Sequence, residues 1–222
     1  MRIKDCKSGN SLVNAYKKCP EFDSRDIMTL VGDFLLAGIE TSGNTMAFLL
    51  DELSRNAKVQ ENLHASIADY DDFNELALKK FKFGKAIIQE NFRLHPISVG
   101  IGRKLSTSIE LSGYEIPVGT NVVTQNQVSC KLENYCPHKP EEFLPERYLT
   151  KENRLDPFVS LPFGFGPRMC IGRRMAELTM QALLFNLAKN FNFESKNNST
   201  VDCESLLINQ PDAPISLKLH LN

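Results

Sequence analysis

From residue 23 onward the apolar residues Ile27, Leu30, Val31, Phe34 and Leu35 recur three and four apart, which predicts a long amphipathic helix running to about Arg55. Asp23, with Asp26 three residues on, supplies a capping-box-like start. Residues 56–80 carry two shorter patterns, Val59, Leu63 and Ile67, then Leu76, Leu78 and Phe81, read as amphipathic surface helices without assigned chemistry. Another helix is predicted over about residues 82–94, stopping at Leu94-His95-Pro96. Between residues 97 and 127 the period shortens to β segments near 99–103, 109–111, 116–120 and 121–124, broken by Ser112-Gly113-Tyr114, which predicts one small sheet. A short helix near 126–131, a loop over 137–148 and a polar run over 149–156 follow. Ile171, Met175, Leu178, Met180, Leu183, Leu184 and Leu187 then mark a helix ending near Asn190, and short strands fill the rest. Residues 1–22 are polar, with a short helix through Leu12, Val13 and Tyr16, and read as a linker or remnant of another element. The expected fold class is mainly α with small β-sheets, with residues 23–222 forming one domain or a large part of one.

Composition narrows the picture only slightly. With 222 residues, 42% hydrophobic and 24% charged, the chain can bury a sizeable core. A net charge of −1 provides no overall field for nucleic acid or an anionic membrane, so no nucleic-acid partner is expected and recognition must rest on local patches. Six scattered cysteines without metal-type pairing suggest reduced thiols, and Cys130, Cys136 and His138 do not complete a zinc site. His64 reads as a surface side chain rather than a ligand. No run of 18 apolar residues predicts a transmembrane helix, and the first residues do not read as a targeting peptide.

Candidate chemistry concentrates in residues 161–174, Leu-Pro-Phe-Gly-Phe-Gly-Pro-Arg-Met-Cys-Ile-Gly-Arg-Arg, where a glycine-punctuated loop delivers Cys170 to a helix start. Unpaired N–H groups and the helix dipole there favour a thiolate, which is a nucleophile or a soft metal ligand. Gly164 and Gly166 leave room for a flat group, Phe163 offers an aromatic face and Arg168 a cation for an acidic group. The simplest alternative, Cys170 as one more small buried hydrophobe, fits most lone cysteines.

Phe163, Gly166, Arg168, Cys170 and Gly172 match Phe-x-x-Gly-x-Arg-x-Cys-x-Gly, and the stretch resembles the haem-binding loop of the cytochrome P450 family. The resemblance implies the C-terminal half of the P450 fold, with haem b as cofactor and Cys170 as the thiolate ligand of its iron. Phe163, Gly164, Arg168 and Gly172 would then contribute to cofactor binding. Within the long helix, Ala37-Gly38-Ile39-Glu40-Thr41-Ser42-Gly43-Asn44 resembles the family's oxygen-binding segment. Thr41 is thereby expected to hydrogen-bond dioxygen, Glu40 to relay protons and Gly38 to leave room, whereas on residues alone the cluster equally reads as a Ser/Thr-bent helix with a solvated Glu40. The two glycines suggest a kink or a close ligand approach.

Glu90 and Arg93 followed by Leu94-His95-Pro96 resemble the family's Glu-x-x-Arg signature, expected to form a buried structural network with Arg147 of Pro145-Glu146-Arg147. Arg103 matches an arginine that holds a haem propionate, and residues 97–101 the strand that lines the substrate pocket. Leu206-Leu207-Ile208 to Leu217-Lys218-Leu219 resembles the C-terminal hairpin whose tip contacts substrate. Residues 94–100, Arg173-Arg174 and Ala176-Glu177-Leu178 look most like the mitochondrial class, which takes electrons from an acidic ferredoxin, and Lys85, Arg173 and Arg174 would form its docking patch. Gln89 stands where that class usually carries another basic residue. Residues 38–45 and 121–130 further resemble arthropod steroid hydroxylases of the ecdysone 20-monooxygenase type.

The implied function is a haem-thiolate monooxygenase that hydroxylates a lipophilic substrate, with a steroid or ecdysteroid as the suggested class, using dioxygen and a ferredoxin-type donor, or a flavin reductase if microsomal. The implied location is the matrix side of the mitochondrial inner membrane, with the endoplasmic reticulum membrane as the alternative. The resemblance covers only the family's C-terminal half, so a targeting segment, a propionate-binding helix and the roof of the pocket are expected outside it, with membrane association through that other half. Competing readings are a truncated, inactive fragment or interaction module, and, ranked last, a cysteine-nucleophile enzyme, for which no motif ties a His partner to Cys170.

Overall fold

A computed structural model describes residues 11–150 and 155–222. The first ten residues of the expected linker and part of the polar run near 149–156 lie outside the described residues. Two compact units divide the chain, Met1–Thr41 and Ser42–Asn222.

In the first unit, helix α1 (Leu12–Tyr16) is capped by Ser11, whose hydroxyl accepts from Asn14 N at 3.2 Å. Helix α2 (Ser24–Arg55) begins here on a reciprocal cap. Asp23 Oδ1 accepts from Arg25 N at 2.7 Å and Asp26 N at 2.8 Å, while Asp23 N donates to Asp26 Oδ2 at 3.0 Å. The helix runs without interruption through residues 37–44, so Gly38 and Gly43 do not break it. A side chain added at either glycine would meet open space.

The second unit packs the C-terminal half of α2 with α3 (Ala57–Ile67), α4 (Glu75–Lys80), α5 (Lys82–Leu94) and α7 (Arg173–Asn190) around one apolar core. Leu49, Leu53, Leu63, Ile87, Leu184 and Phe185 are among its best-buried side chains. In α4 the expected inward residue Leu76 is exposed and Ala77 is buried instead. Asn74 explains the phase: its Oδ1 accepts from Leu76 N and Ala77 N, and Ala77 then shares a face with Phe81 four residues on. Gly84 is required by Phe81, because a Cβ there would lie 2.1 Å from the ring.

Among the described residues the strands form four two-stranded antiparallel ladders, two of them between residues 97 and 127 in place of the single sheet expected there. There β1 (Ile101–Lys104) pairs with β4 (Asn121–Thr124), while β2 (Ile109–Leu111) and β3 (Tyr114–Ile116) make a hairpin turning at Ser112 and Gly113, both at positive φ. Helix α6 (Asn126–Ser129) follows. The C-terminal pairing also differs from expectation. Leu217–Leu221 (β8) pairs with Phe191–Ser195 (β5), and the hairpin is made by β6 (Cys203–Ser205) and β7 (Asn209–Pro211), with 206–208 at its tip. Among the described residues no helix is long and apolar enough to cross a membrane.

Candidate haem-binding site

The loop before α7 is closed by its own backbone. Cys170 N donates to Phe163 O at 2.8 Å, Gly164 N to Leu161 O at 3.0 Å and Met169 N to Gly166 O at 3.0 Å. Gly164 and Gly166 adopt φ of +72° and +75°, a region other residues rarely enter, which fixes glycine at both positions. Pro167 and Arg168 form a 3-10 turn with Gly166, and Gly172 is the N-cap of α7, so Cys170 lies just ahead of the helix. Its thiol is exposed, not a small buried hydrophobe. The neighbours in sequence are apolar and exposed too: Phe165 is 64% exposed, Ile171 82% and Met175 59%. Such a surface wants an apolar cover.

Phe163 anchors the loop from beneath. Its ring packs on the core and meets Phe92 edge-on at 5.1 Å, while the Arg173 guanidinium sits 5.8 Å from its centroid. Its aromatic face is thus already occupied by a cation, unlike the open face expected from sequence. Phe92, one residue before Arg93, is the loop contact that sequence reading missed; its place on the buried face of α5 was the available signal. Arg103 on β1 reaches the same loop, its Nη2 donating to Phe165 O at 3.4 Å. Arg168 is exposed, and among the described residues no ion pair reaches it.

Behind the loop lies a buried ionic network. Arg93 donates through Nε to Glu90 Oε2 at 2.8 Å and through Nη2 to Glu90 Oε1 at 2.8 Å. Its remaining N–H groups reach the carbonyls of Cys130, Pro140 and Glu142 at 3.0, 2.6 and 3.1 Å, so all five guanidinium hydrogens are used. Glu90 Oε1 also accepts from Leu144 N at 2.9 Å and Arg147 Nε at 3.3 Å. Arg147 donates onward to the carbonyls of Pro137 and Lys139, holding a loop in which His138 and Lys139 take positive φ. Burial opposes the Arg93 charge, but the hydrogen bond and charge of Glu90 outweigh it and raise its pKa. Burial likewise pushes the Cys130 thiol up to about 11 and raises the Tyr148 phenol.

Lys85, Arg173 and Arg174 line one open cleft of about 1110 Å³, together with Gln89, Phe163 and Gln181. Arg173 is partly committed to Glu177, with Nε to Oε1 at 3.0 Å.

In the first unit, Glu40 is exposed and Gly38 leaves open space. Thr41 is half-buried and its hydroxyl donates back to Ala37 O at 2.6 Å, the local bond that Ser and Thr commonly make inside helices.

An exposed thiol set in apolar surface, with the exposed Arg168 in the same loop and Arg103 beside it, fits a soft metal centre carried in a flat apolar group with acidic edges. The profile of the cytochrome P450 family matches residues 7–219. Cytochrome P450 302a1, mitochondrial, of Drosophila melanogaster is 40% identical over 99% of this chain and 46% of its own length. Cytochrome P450 CYP12A2 of Musca domestica is 34% identical over 91% of this chain and 41% of its own. The mitochondrial cholesterol side-chain cleavage enzyme of Oncorhynchus mykiss is 35% identical over 87% and 38%. The chain therefore spans less than half the length of these relatives. Haem bound through a cysteine thiolate is the general cofactor of the matching family. With the loop, the network and the matched extent agreeing, this chain belongs to the cytochrome P450 family.

Proposed function

We propose that residues 23–222 are the C-terminal, haem-binding part of a monooxygenase, and that residues 1–22 link it to further sequence. The observation that carries the reading is the exposed Cys170 thiol, presented by a loop that Gly164 and Gly166 fold and Phe163 anchors. When bound there, haem would supply the chemistry of dioxygen activation. Cys170 would hold the haem iron, and Arg168 and Arg103 would neutralise the acidic edges of the haem. Gly172 caps the helix behind the thiol. Glu90, Arg93 and Arg147 keep the geometry of the supporting loop fixed. Glu40, exposed to solvent, and Thr41, through its hydroxyl, would manage protons, with Gly38 leaving open space beside them.

The cleft lined by Lys85, Arg173 and Arg174 supports an acidic ferredoxin-type donor, since cations gathered at one opening steer an anionic partner. Relatives named mitochondrial support a mitochondrial location, and within that reading the chain works at the matrix face of the inner membrane with such a donor. The substrate is lipophilic, and the similarity to a cholesterol side-chain cleavage enzyme favours a steroid.

Titrating haem into the purified chain tests the reading. Uptake near one haem per chain, reduced in Cys170→Ser, is expected; no uptake by the unaltered chain would favour a non-catalytic module.

A further inference from the structure

Asn209 is fully buried, yet it begins a strand of the hairpin whose tip residues Leu206 and Leu207 are 63% and 96% exposed. Its side chain uses both ends of the amide. Nδ2 donates to Pro96 O at 2.6 Å and to Gln127 Oε1 at 3.3 Å, and Oδ1 accepts from Ser205 Oγ at 2.7 Å. Its backbone N donates to Ile97 O at 2.8 Å, and its carbonyl accepts from Asn44 Nδ2 at 3.5 Å. One residue therefore ties together the hairpin, the segment after α5, the start of α6 and helix α2.

Two physical facts make this more than a satisfied core amide. The β6–β7 ladder has three residue pairs, too few to hold a hairpin in place by itself. An apolar side chain of similar size could fill the space without the cost of burying an amide, but it would not fix a register; a fully bonded amide accepts only one arrangement of its partners. We propose that Asn209 is a positioning residue, a clamp that ties the base of the hairpin to the segment 96–97 and α2, so fixing where the exposed Leu206-Leu207 tip is held and which apolar ligands the site accepts. The clamp stands on geometry alone; its consequence for ligands rests on the function proposed above.

Hydrogen exchange of the 222-residue chain reads the clamp without haem. Asn209→Leu keeps the volume and removes the donors and acceptor, and should speed exchange over 205–211 and 97–99 about tenfold, the worth of one net hydrogen bond, leaving the β5–β8 ladder unchanged. Asn209→Asp should lose the same protection at neutral pH and regain it, relative to the unaltered chain, as acid restores a proton that can be donated to Pro96 O. Unchanged exchange in Asn209→Leu means packing holds the hairpin and overturns the proposal. If Asn209→Leu unfolds the chain, Ser205→Ala, which removes a single bond to the amide, should loosen 205–211 alone, and no loosening overturns it equally. In the haem-loaded chain, Asn209→Leu should weaken the bulky azole clotrimazole about tenfold and leave imidazole unchanged; loss of both or neither overturns the positioning role. A chain that takes up no haem contradicts the proposed function, while the exchange result still decides the clamp.

Discussion

Arg93 meets Glu90 as a two-pronged ion pair, both contacts at 2.8 Å, with neither side chain exposed to solvent. The pair is tolerable in the core only because every guanidinium hydrogen of Arg93 finds an acceptor and Glu90 also serves Arg147 and Leu144 N. Glu90→Gln keeps the shape but strands two buried cations. It should cost about 3–5 kcal/mol, read as a lowered urea midpoint. A change below about 1 kcal/mol would mean that solvent or another group carries the charge balance.

Gly84→Ala should destabilise the chain by about 1–3 kcal/mol, because the added methyl must displace the Phe81 ring from the core. The paired variant Phe81→Leu should reduce that penalty, and a double-mutant cycle on thermal melting measures the coupling.

Much of this architecture is legible from sequence, and the misreadings have identifiable causes. Helix α5 is bounded correctly because its amphipathic pattern is strong and Pro96 follows. The Cys170 loop is legible because glycine, proline and cysteine are each fixed by a backbone or chemical requirement. The strand pairings are not: β5 finds β8 across the whole β6–β7 hairpin, and short strands carry too little pattern to choose partners. Leu76 was misplaced because the Asn74 cap, not the apolar count, sets the phase of a six-residue helix. Asn209 carries no local signal, since its partners lie near residues 44, 96 and 127.

Cys130 provides a pH prediction. Its folded thiol, pushed up to about 11 chiefly by burial, ionises later than the same group in the unfolded chain, near its ordinary value of 9.0. The unfolded state therefore loses its proton first, so the contribution of this thiol to stability is fully present below pH 9 and is lost as pH rises from 9 to 11, by up to about 2–3 kcal/mol. Cys130→Ala should flatten that slope in urea titrations between pH 8 and 11.

Lys85→Glu and Arg174→Glu reverse charge at the cleft without touching the Cys170 loop bonds. Each should slow reduction of the haem-loaded protein by an acidic ferredoxin about tenfold at low salt, with the difference shrinking as salt rises. Stopped-flow reduction at several ionic strengths measures it.

On the proposed function, Cys170 is the iron ligand of this chain. The carbon monoxide difference spectrum of the reduced, haem-loaded protein tests it most directly. The red-shifted Soret band of thiolate-ligated haem is expected in the unaltered chain and should be lost in Cys170→Ser, with Cys130→Ser and Cys136→Ser retaining it. The same red-shifted band persisting in Cys170→Ser would mean that Cys170 is not the iron ligand.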